Sequence, residues 1–179
     1  MGKKLGRVIW ITGLSGSGKS TLANKVVEKF RCQGEVVISL DGDDLRQIFG
    51  GTNVSGNYDR EGRLALAMRY SRLCNLIANQ GITVVIATIS LFREIHIWNR
   101  ANLPGYFEVF LRVPIEELRR RDPKGIYRRF DAGELSSVAG LDLSVDEPKE
   151  ADYVVEFSPN LILCSVVDEL VQILIKSEK

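Results

Sequence analysis

The chain has 179 residues, 45% of them hydrophobic, with 24 Lys and Arg against 23 Asp and Glu for a formal net charge of +1. That length suits one domain, residues 1–179, with one sizeable core, and the apolar content excludes a disordered chain. The near-neutral balance argues against a protein that coats nucleic acid, and no run approaches the roughly 20 apolar residues that a membrane span needs.

Met1 to Gly6 is basic, but the apolar run behind it is short and ends in a glycine-rich loop, so no secretory leader is expected. Cys32, Cys74 and Cys164 are too scattered for a zinc cage or a disulfide framework. Buried reduced thiols in a cytoplasmic protein are the expectation. Arg7 to Ile11 reads as the first strand. It runs into Gly13-Leu14-Ser15-Gly16-Ser17-Gly18-Lys19-Ser20-Thr21, which fits the phosphate-binding pattern G-x-x-x-x-G-K-[ST]. Glycines let successive amides curl around an anion, and the following helix adds the positive end of its dipole. Lys19 is placed to reach the β- and γ-phosphates of ATP, and the Ser20 hydroxyl to ligate Mg2+. A helix with Leu22, Val26, Val27 and Phe30 on its inner side follows and stops at Gln33-Gly34.

Glu35 to Leu40 reads as strand two and delivers Asp41-Gly42-Asp43-Asp44 to its C-terminal end, beside the phosphate loop. A carboxylate there, Asp41 or Asp43, holds Mg2+ through water or orients an attacking hydroxyl; Asp43 or Asp44 could equally be a helix cap. Leu45 to Phe49 is a short helical piece carrying Arg46, and Gly50 to Tyr58 an exposed loop. Glu61 to Asn79 is helical, with Leu64, Ala67, Met68, Cys74 and Ile77 inward, and Ile82 to Ala87 is a strand buried on both faces. Phe92 to Asn102 is a helix holding the lone histidine, His96, for which a surface or packing role is expected. Tyr106 to Val113 is a strand, and Pro114 opens a helix to Arg121. The segment from about 122 to 150 breaks the alternation and carries Arg128, Arg129 and Lys124 behind Arg119-Arg120-Arg121, as a basic lid over a phosphoryl-transfer site would. Tyr153 to Phe157 and Leu161 to Lys176 are a last strand and helix. The alternation predicts an α/β phosphate-loop NTPase fold: a parallel sheet with helices on both faces and ligands at the strands' C-terminal ends. Arginine forks at those ends, Arg46, Arg60 and Arg63, suit phosphate or sulfate oxygens, although Arg63 alone reads as a solvated helix residue.

The motifs together resemble the adenylyl-sulfate kinase family over nearly the whole chain. The loop Gly13 to Thr21 matches G-L-S-G-S-G-K-S-T without change, and Asp41-Gly42-Asp43-Asp44-Leu45-Arg46 matches D-G-D-N-[hydrophobic]-R. Asp59-Arg60 matches D-R, Thr88-Ile89-Ser90-Leu91 matches F-I-S-P, and Arg121-Asp122-Pro123-Lys124-Gly125-Ile126-Tyr127 matches R-D-P-K-G-L-Y. Gly140-Leu141-Asp142 matches a later G-x-D. The resemblance implies transfer of the γ-phosphoryl of ATP to the ribose 3′-hydroxyl of a small-molecule nucleotide bearing a modified phosphate. It implies that Lys19, Asp41, Asp43 and Ser90 carry the chemistry, with Ser90 an acceptor-site residue rather than a phosphorylated intermediate. It places Arg46, Arg60, Arg63, Ile89, Lys124, Ile126 and Tyr127 at the acceptor, and Arg121 with the loop at the donor. The family often forms dimers, so a homodimer is the implied assembly, without nucleic acid or membrane.

The departures bear on the acceptor. The family clamps adenine between aromatic rings; Ser55 and Thr88 stand at those positions, with Phe92 or Tyr58 left to compensate. Arg63 replaces an Asn, Asp44 an Asn and Leu91 a Pro. The altered pocket resembles a branch of the family whose acceptor is cytidine diphosphoramidate. Adenylyl sulfate and cytidine diphosphoramidate both remain open here. A nucleotide-dependent switch or a non-catalytic scaffold are the rival classes; no N-K-x-D motif supports a GTPase.

Overall fold

In the computed structural model, residues 4–50 and 59–176 are described. The predicted loop from Gly50 to Tyr58, including Ser55 and Tyr58, falls outside them from residue 51 onward. Five strands form one parallel sheet in the order β2-β3-β1-β4-β5. In chain order the elements are β1 (Val8–Thr12), α1 (Lys19–Cys32), β2 (Val37–Asp41), α2 (Gly42–Gly50), α3 (Arg60–Ala78) and β3 (Thr83–Thr88). There follow α4 (Arg93–Asn102), β4 (Phe107–Arg112), α5 (Ile115–Arg121), α6 (Ile126–Asp131), β5 (Tyr153–Glu156) and α7 (Leu163–Lys176).

The central strand shows why the sheet is buried on both sides. Ile9 and Ile11 of β1 join Leu22, Val26 and Phe30 of α1 and Leu170 and Leu174 of α7 in one core. Val8 and Trp10 point the other way, into a second core with Tyr70, Cys74, Phe92 and Ile95 from α3 and α4. Successive side chains of a strand alternate faces, so a continuous apolar run is what two covered faces demand. Each buried Leu or Phe contributes about 1.5–3 kcal/mol relative to exposure.

The register brings the chemistry to one edge. Thr12 lies opposite Thr88 and Phe110, and Asp41 opposite Ala87. β3 lies between β2 and β1, so the acidic end of β2 reaches the phosphate loop across the end of β3 rather than from an adjacent strand. α2 starts at Gly42, earlier than the sequence pattern suggests, because Asp41 Oδ1 accepts from the Asp43 amide at 2.9 Å and Asp43 and Asp44 sit in its first turn, where negative charge favours a helix. Capping therefore belongs to Asp41, not to Asp43 or Asp44. Pro114 is the N-cap of α5, one residue before its first turn. Leu64, Met68 and Ile77 are only half-buried, while Tyr70 and Ser71 take inner positions on α3. Of the cysteines only Cys74 is buried; Cys32 and Cys164 are exposed on α1 and α7, which corrects the expectation of three buried thiols. Among the described residues no helix is long and apolar enough to cross a membrane.

Candidate active site

The β1–α1 connection is built for an anion. Gly13, Gly16 and Gly18 have φ of 152°, 78° and 99°, backbone that L side chains rarely adopt. A Cβ on Gly13 would lie 2.8 Å from the Leu111 carbonyl oxygen. Gly18 caps α1 in the left-handed region with no side-chain hydrogen bond and no acidic residue in the first turn. The first amides of α1 thus have no side chain competing for them, the condition under which a helix N-terminus receives phosphate. Lys19 Nζ donates to the Leu14 carbonyl at 2.8 Å. Burial, then repulsion from Lys124, lowers its pKa to about 8 against the pull of Asp43 and Asp41.

Beside the loop, Ser20 Oγ donates to Asp41 Oδ2 at 2.6 Å. This hydroxyl–carboxylate pair suits Mg2+, which keeps several waters and takes one or two protein oxygens with the substrate phosphates. Among the described residues no cluster of three or more His, Cys, Asp or Glu is present. Asp43 is paired with Lys124 across the cleft and with Arg46 at 3.7 Å. Burial would raise its pKa, but Lys124, Arg46 and Lys19 hold it below the ordinary value. A cavity of about 260 Å3 lies here, lined by Lys19, Asp41, Asp43, Arg46, Thr88, Ile89 and Lys124 among others, with no aromatic residue in its wall among the described residues. A second cavity of about 640 Å3 opens on the other side of the loop against Gly18, Thr21, Arg121, Phe157 and Pro159. The Arg121 guanidinium lies 5.1 Å from the centre of the Phe157 ring and donates to Glu117 at 2.7 Å. Phe157 and Glu117 carried no motif in the sequence and appear only once β5 and α5 are side by side.

Lid and loop are joined by packing. Tyr127 is buried and its hydroxyl donates to the Ser15 carbonyl at 2.9 Å, so it meets the loop rather than the cavity by Asp41. Ile126 is half-buried at the start of α6, and Asp122 accepts from the Tyr127 and Arg128 amides at 3.2 and 3.0 Å. Gly140 has φ 84°, and a Cβ on it would meet Leu14 Cδ1 at 2.8 Å. The basic cluster divides. Lys124 lines the cavity by Asp41, and Arg120 and Arg121, both paired with Glu117, line the second, while Arg119 and Arg129 pair with Asp131 and Glu134.

Of the other residues expected at the acceptor, Ser90, Arg60 and Arg63 do not line this cavity. Ser90 is buried with φ 27°, and its Oγ shares a 2.8 Å hydrogen bond with Thr88 Oγ1. The Thr12 hydroxyl donates to the Ile89 carbonyl. Arg60 Nη2 sits 3.0 Å from both Glu94 oxygens and 3.5 Å from Asp146 Oδ2, and covers the buried Phe92 ring at 5.5 Å. Arg63 donates to the Ser137 carbonyl at 2.7 Å. The structure thus gathers the loop, Asp41, Asp43, Arg46, Ile89 and Lys124 in one cleft, and sets Arg60 and Arg63 against the segment that returns from the lid.

Residues 5–156 match the family model described as adenylylsulphate kinase. The cytidine diphosphoramidate kinase of Campylobacter jejuni is 37% identical over 169 residues, 94% of each chain. The adenylyl-sulfate kinase of Clostridium acetobutylicum is 38% identical over 156 residues, covering 86% of this chain and 76% of its own. Among solved structures, the Mycobacterium tuberculosis APS kinase in complex with AMPPNP and APS superposes with a TM-score of 0.83 at 33% identity, over 96% of this chain and 98% of that one.

Proposed function

The chain belongs to the adenylylsulphate kinase family, and from that premise we propose that it transfers the γ-phosphoryl of ATP to the ribose 3′-hydroxyl of cytidine diphosphoramidate. On the donor side, the loop amides and α1 N-terminus receive the phosphates, and Lys19 leaves the Leu14 carbonyl for the β- and γ-oxygens. Arg121 and Phe157 flank the space for the donor base. Mg2+, when bound, neutralises charge across the β- and γ-phosphates, and Ser20 with Asp41 would hold it. Asp43 is the carboxylate left to orient the acceptor hydroxyl. Asp41 is already engaged by Ser20 and the Asp43 amide, whereas the Asp43 partners are mobile side chains. Lys124 closes the cleft, and Arg46 and Arg60 hold the acceptor's diphosphate-like tail.

The choice of acceptor rests on one observation: among the described residues, which leave out Ser55 and Tyr58, no aromatic side chain lines the cavity beside Asp41. Thr88 stands where the family carries a ring, its hydroxyl spent on Ser90, and Phe92 is buried beneath Arg60 and offers no free face. Stacking is worth about 1–3 kcal/mol per base, so adenine loses a support that the smaller pyrimidine needs less. The end-to-end match with the Campylobacter jejuni relative points the same way. Adenylyl sulfate is the second reading, favoured by the unaltered Arg121-Asp122-Pro123-Lys124-Gly125 lid motif and by the relatives that carry that name. A coupled ADP-release assay with both nucleotides decides. Higher kcat/KM with the cytidine nucleotide supports the proposal, higher kcat/KM with adenylyl sulfate reverses the choice, and no turnover with either removes the substrate class.

A further inference from the structure

The lone histidine sits in a polar network that the transfer chemistry does not use. His96 Nδ1 is 2.6 Å from Glu108 Oε1, and Nε2 is 2.9 Å from the Asp146 carbonyl oxygen. Its side chain is 12% exposed and that of Glu108 2%. A backbone carbonyl only accepts. The Glu108 carboxylate also accepts from the Tyr106 hydroxyl at 3.0 Å and faces the Arg100 guanidinium at 3.6 Å, so it too is an acceptor. A neutral imidazole has one N–H and would leave one of these contacts without a proton. Two facing acceptors call for both ring nitrogens to be protonated.

The Asp146 end leads to the acceptor side. Asp146 donates its amide to the Leu91 carbonyl at 3.0 Å, and its Oδ2 accepts from the Arg93 amide at 3.2 Å and faces Arg60 at 3.5 Å. We infer that His96 is held as an imidazolium that ties Glu108 of β4 to Asp146, and so is a positioning residue that fixes the carboxylate beside Arg60. This rests on the proposed role of Arg60 toward the acceptor. Glu108 of β4 and Asp146 on the returning segment face His96; one contact further out, Tyr106 and Arg100 meet Glu108 and Arg60 meets Asp146, with Asp152 beyond Arg100. Burial would lower the His96 pKa, but the Glu108 hydrogen bond and charge, with Asp146, raise it above 6.5. With a folded value above the unfolded one, the tie is fully present below pH 6.5 and is lost as pH rises through the folded value.

Because this is the only histidine, its imidazole resonances can be followed without assignment. The intact protein should titrate above pH 6.5, and a midpoint at or below 6.5 overturns the inference. Peptides covering residues 138–148 should exchange amide hydrogens about fivefold or more faster in His96→Gln, and unchanged exchange overturns it. With cytidine diphosphoramidate, and adenylyl sulfate as the second probe, His96→Gln should raise the acceptor KM about five- to tenfold, with the KM for ATP and kcat within about twofold. The rise of the wild-type acceptor KM with pH should vanish in that variant. Asp146→Asn, a half-exposed change that spares the core, should raise the acceptor KM similarly. The double variant should add nothing further, and additive effects would break the proposed link. If Arg60→Gln raises the acceptor KM and His96→Gln does not, the acceptor reading stands and this inference alone falls. If Arg60→Gln leaves it unchanged, the role of Arg60 and the functional part of this inference fall together, whatever the titration gives.

Discussion

The two sides of the cleft are made of different material. The proposed donor side is mostly backbone: a curled glycine loop, an uncapped helix start and one half-buried lysine. The proposed acceptor side is mostly long side chains held by opposite charges, with Arg46 by Asp43, Arg60 by Glu94 and Asp146, and Lys124 by Asp43. Backbone geometry is fixed before a ligand arrives and costs little reorganisation. Exposed ion pairs are each worth about 0–1 kcal/mol and are easily exchanged for a ligand's charges. The proposed donor side is therefore the more rigid and the proposed acceptor side the more adaptable.

The contrast breaks first, if it breaks, at Lys19. Lys19→Ala should lower kcat by about 10^3-fold with the fold intact by circular dichroism, because Lys19 is the one cation carried by the loop from Gly13 to Thr21. A variant within tenfold of wild type would return the chain to the switch or scaffold classes. Asp41→Asn tests the border of the two sides. It should lower kcat by about 10^2-fold and raise the Mg2+ concentration for half-maximal rate, read by titrating the metal at saturating ATP. Thr88→Phe acts on the acceptor side alone. Restoring a ring should shift the kcat/KM ratio toward adenylyl sulfate by about tenfold, leaving the KM for ATP unmoved. The smallest effect is with pH. The free-state pKa of Lys19, about 8, means that the ammonium is lost as pH rises past that value, so ATP affinity measured by calorimetry should hold from pH 6.5 to 7.5 and fall by up to about tenfold per unit above 8.

The same contrast explains what could be read from the sequence. The phosphate loop is contiguous, and its glycines, Lys19 and Ser20 must fall at fixed spacing, so it was legible without a fold. The alternation of strands and helices was legible too, since β1 and β3 are apolar runs bounded by turns. The strand order was not: nothing in the Asp41 turn says that β3 stands between it and Gly13. The partners of the arginines were also hidden. Arg60 meets Asp146 from 86 positions away, and His96, which reads as bland in a helix, meets Glu108 and Asp146 only after β4 and the returning segment close on α4. Phe92 looked like a replacement for a lost ring, but its place in the core was decided by α4 packing. Pair formation between distant side chains leaves no periodicity to find.

One missing methyl group has a wider reach. Leu14 belongs to the glycine-rich β1–α1 loop, and its side chain fills the space that a Cβ on Gly140 would need. Whatever draws the loop inward also shifts the seat of the chain coming back from the lid, and pressure on that chain is felt by the loop. Coupling between two binding events is reciprocal, so each nucleotide must change the affinity for the other by the same factor. Any preferred order of addition would then trace to the seat that Gly140 leaves for Leu14.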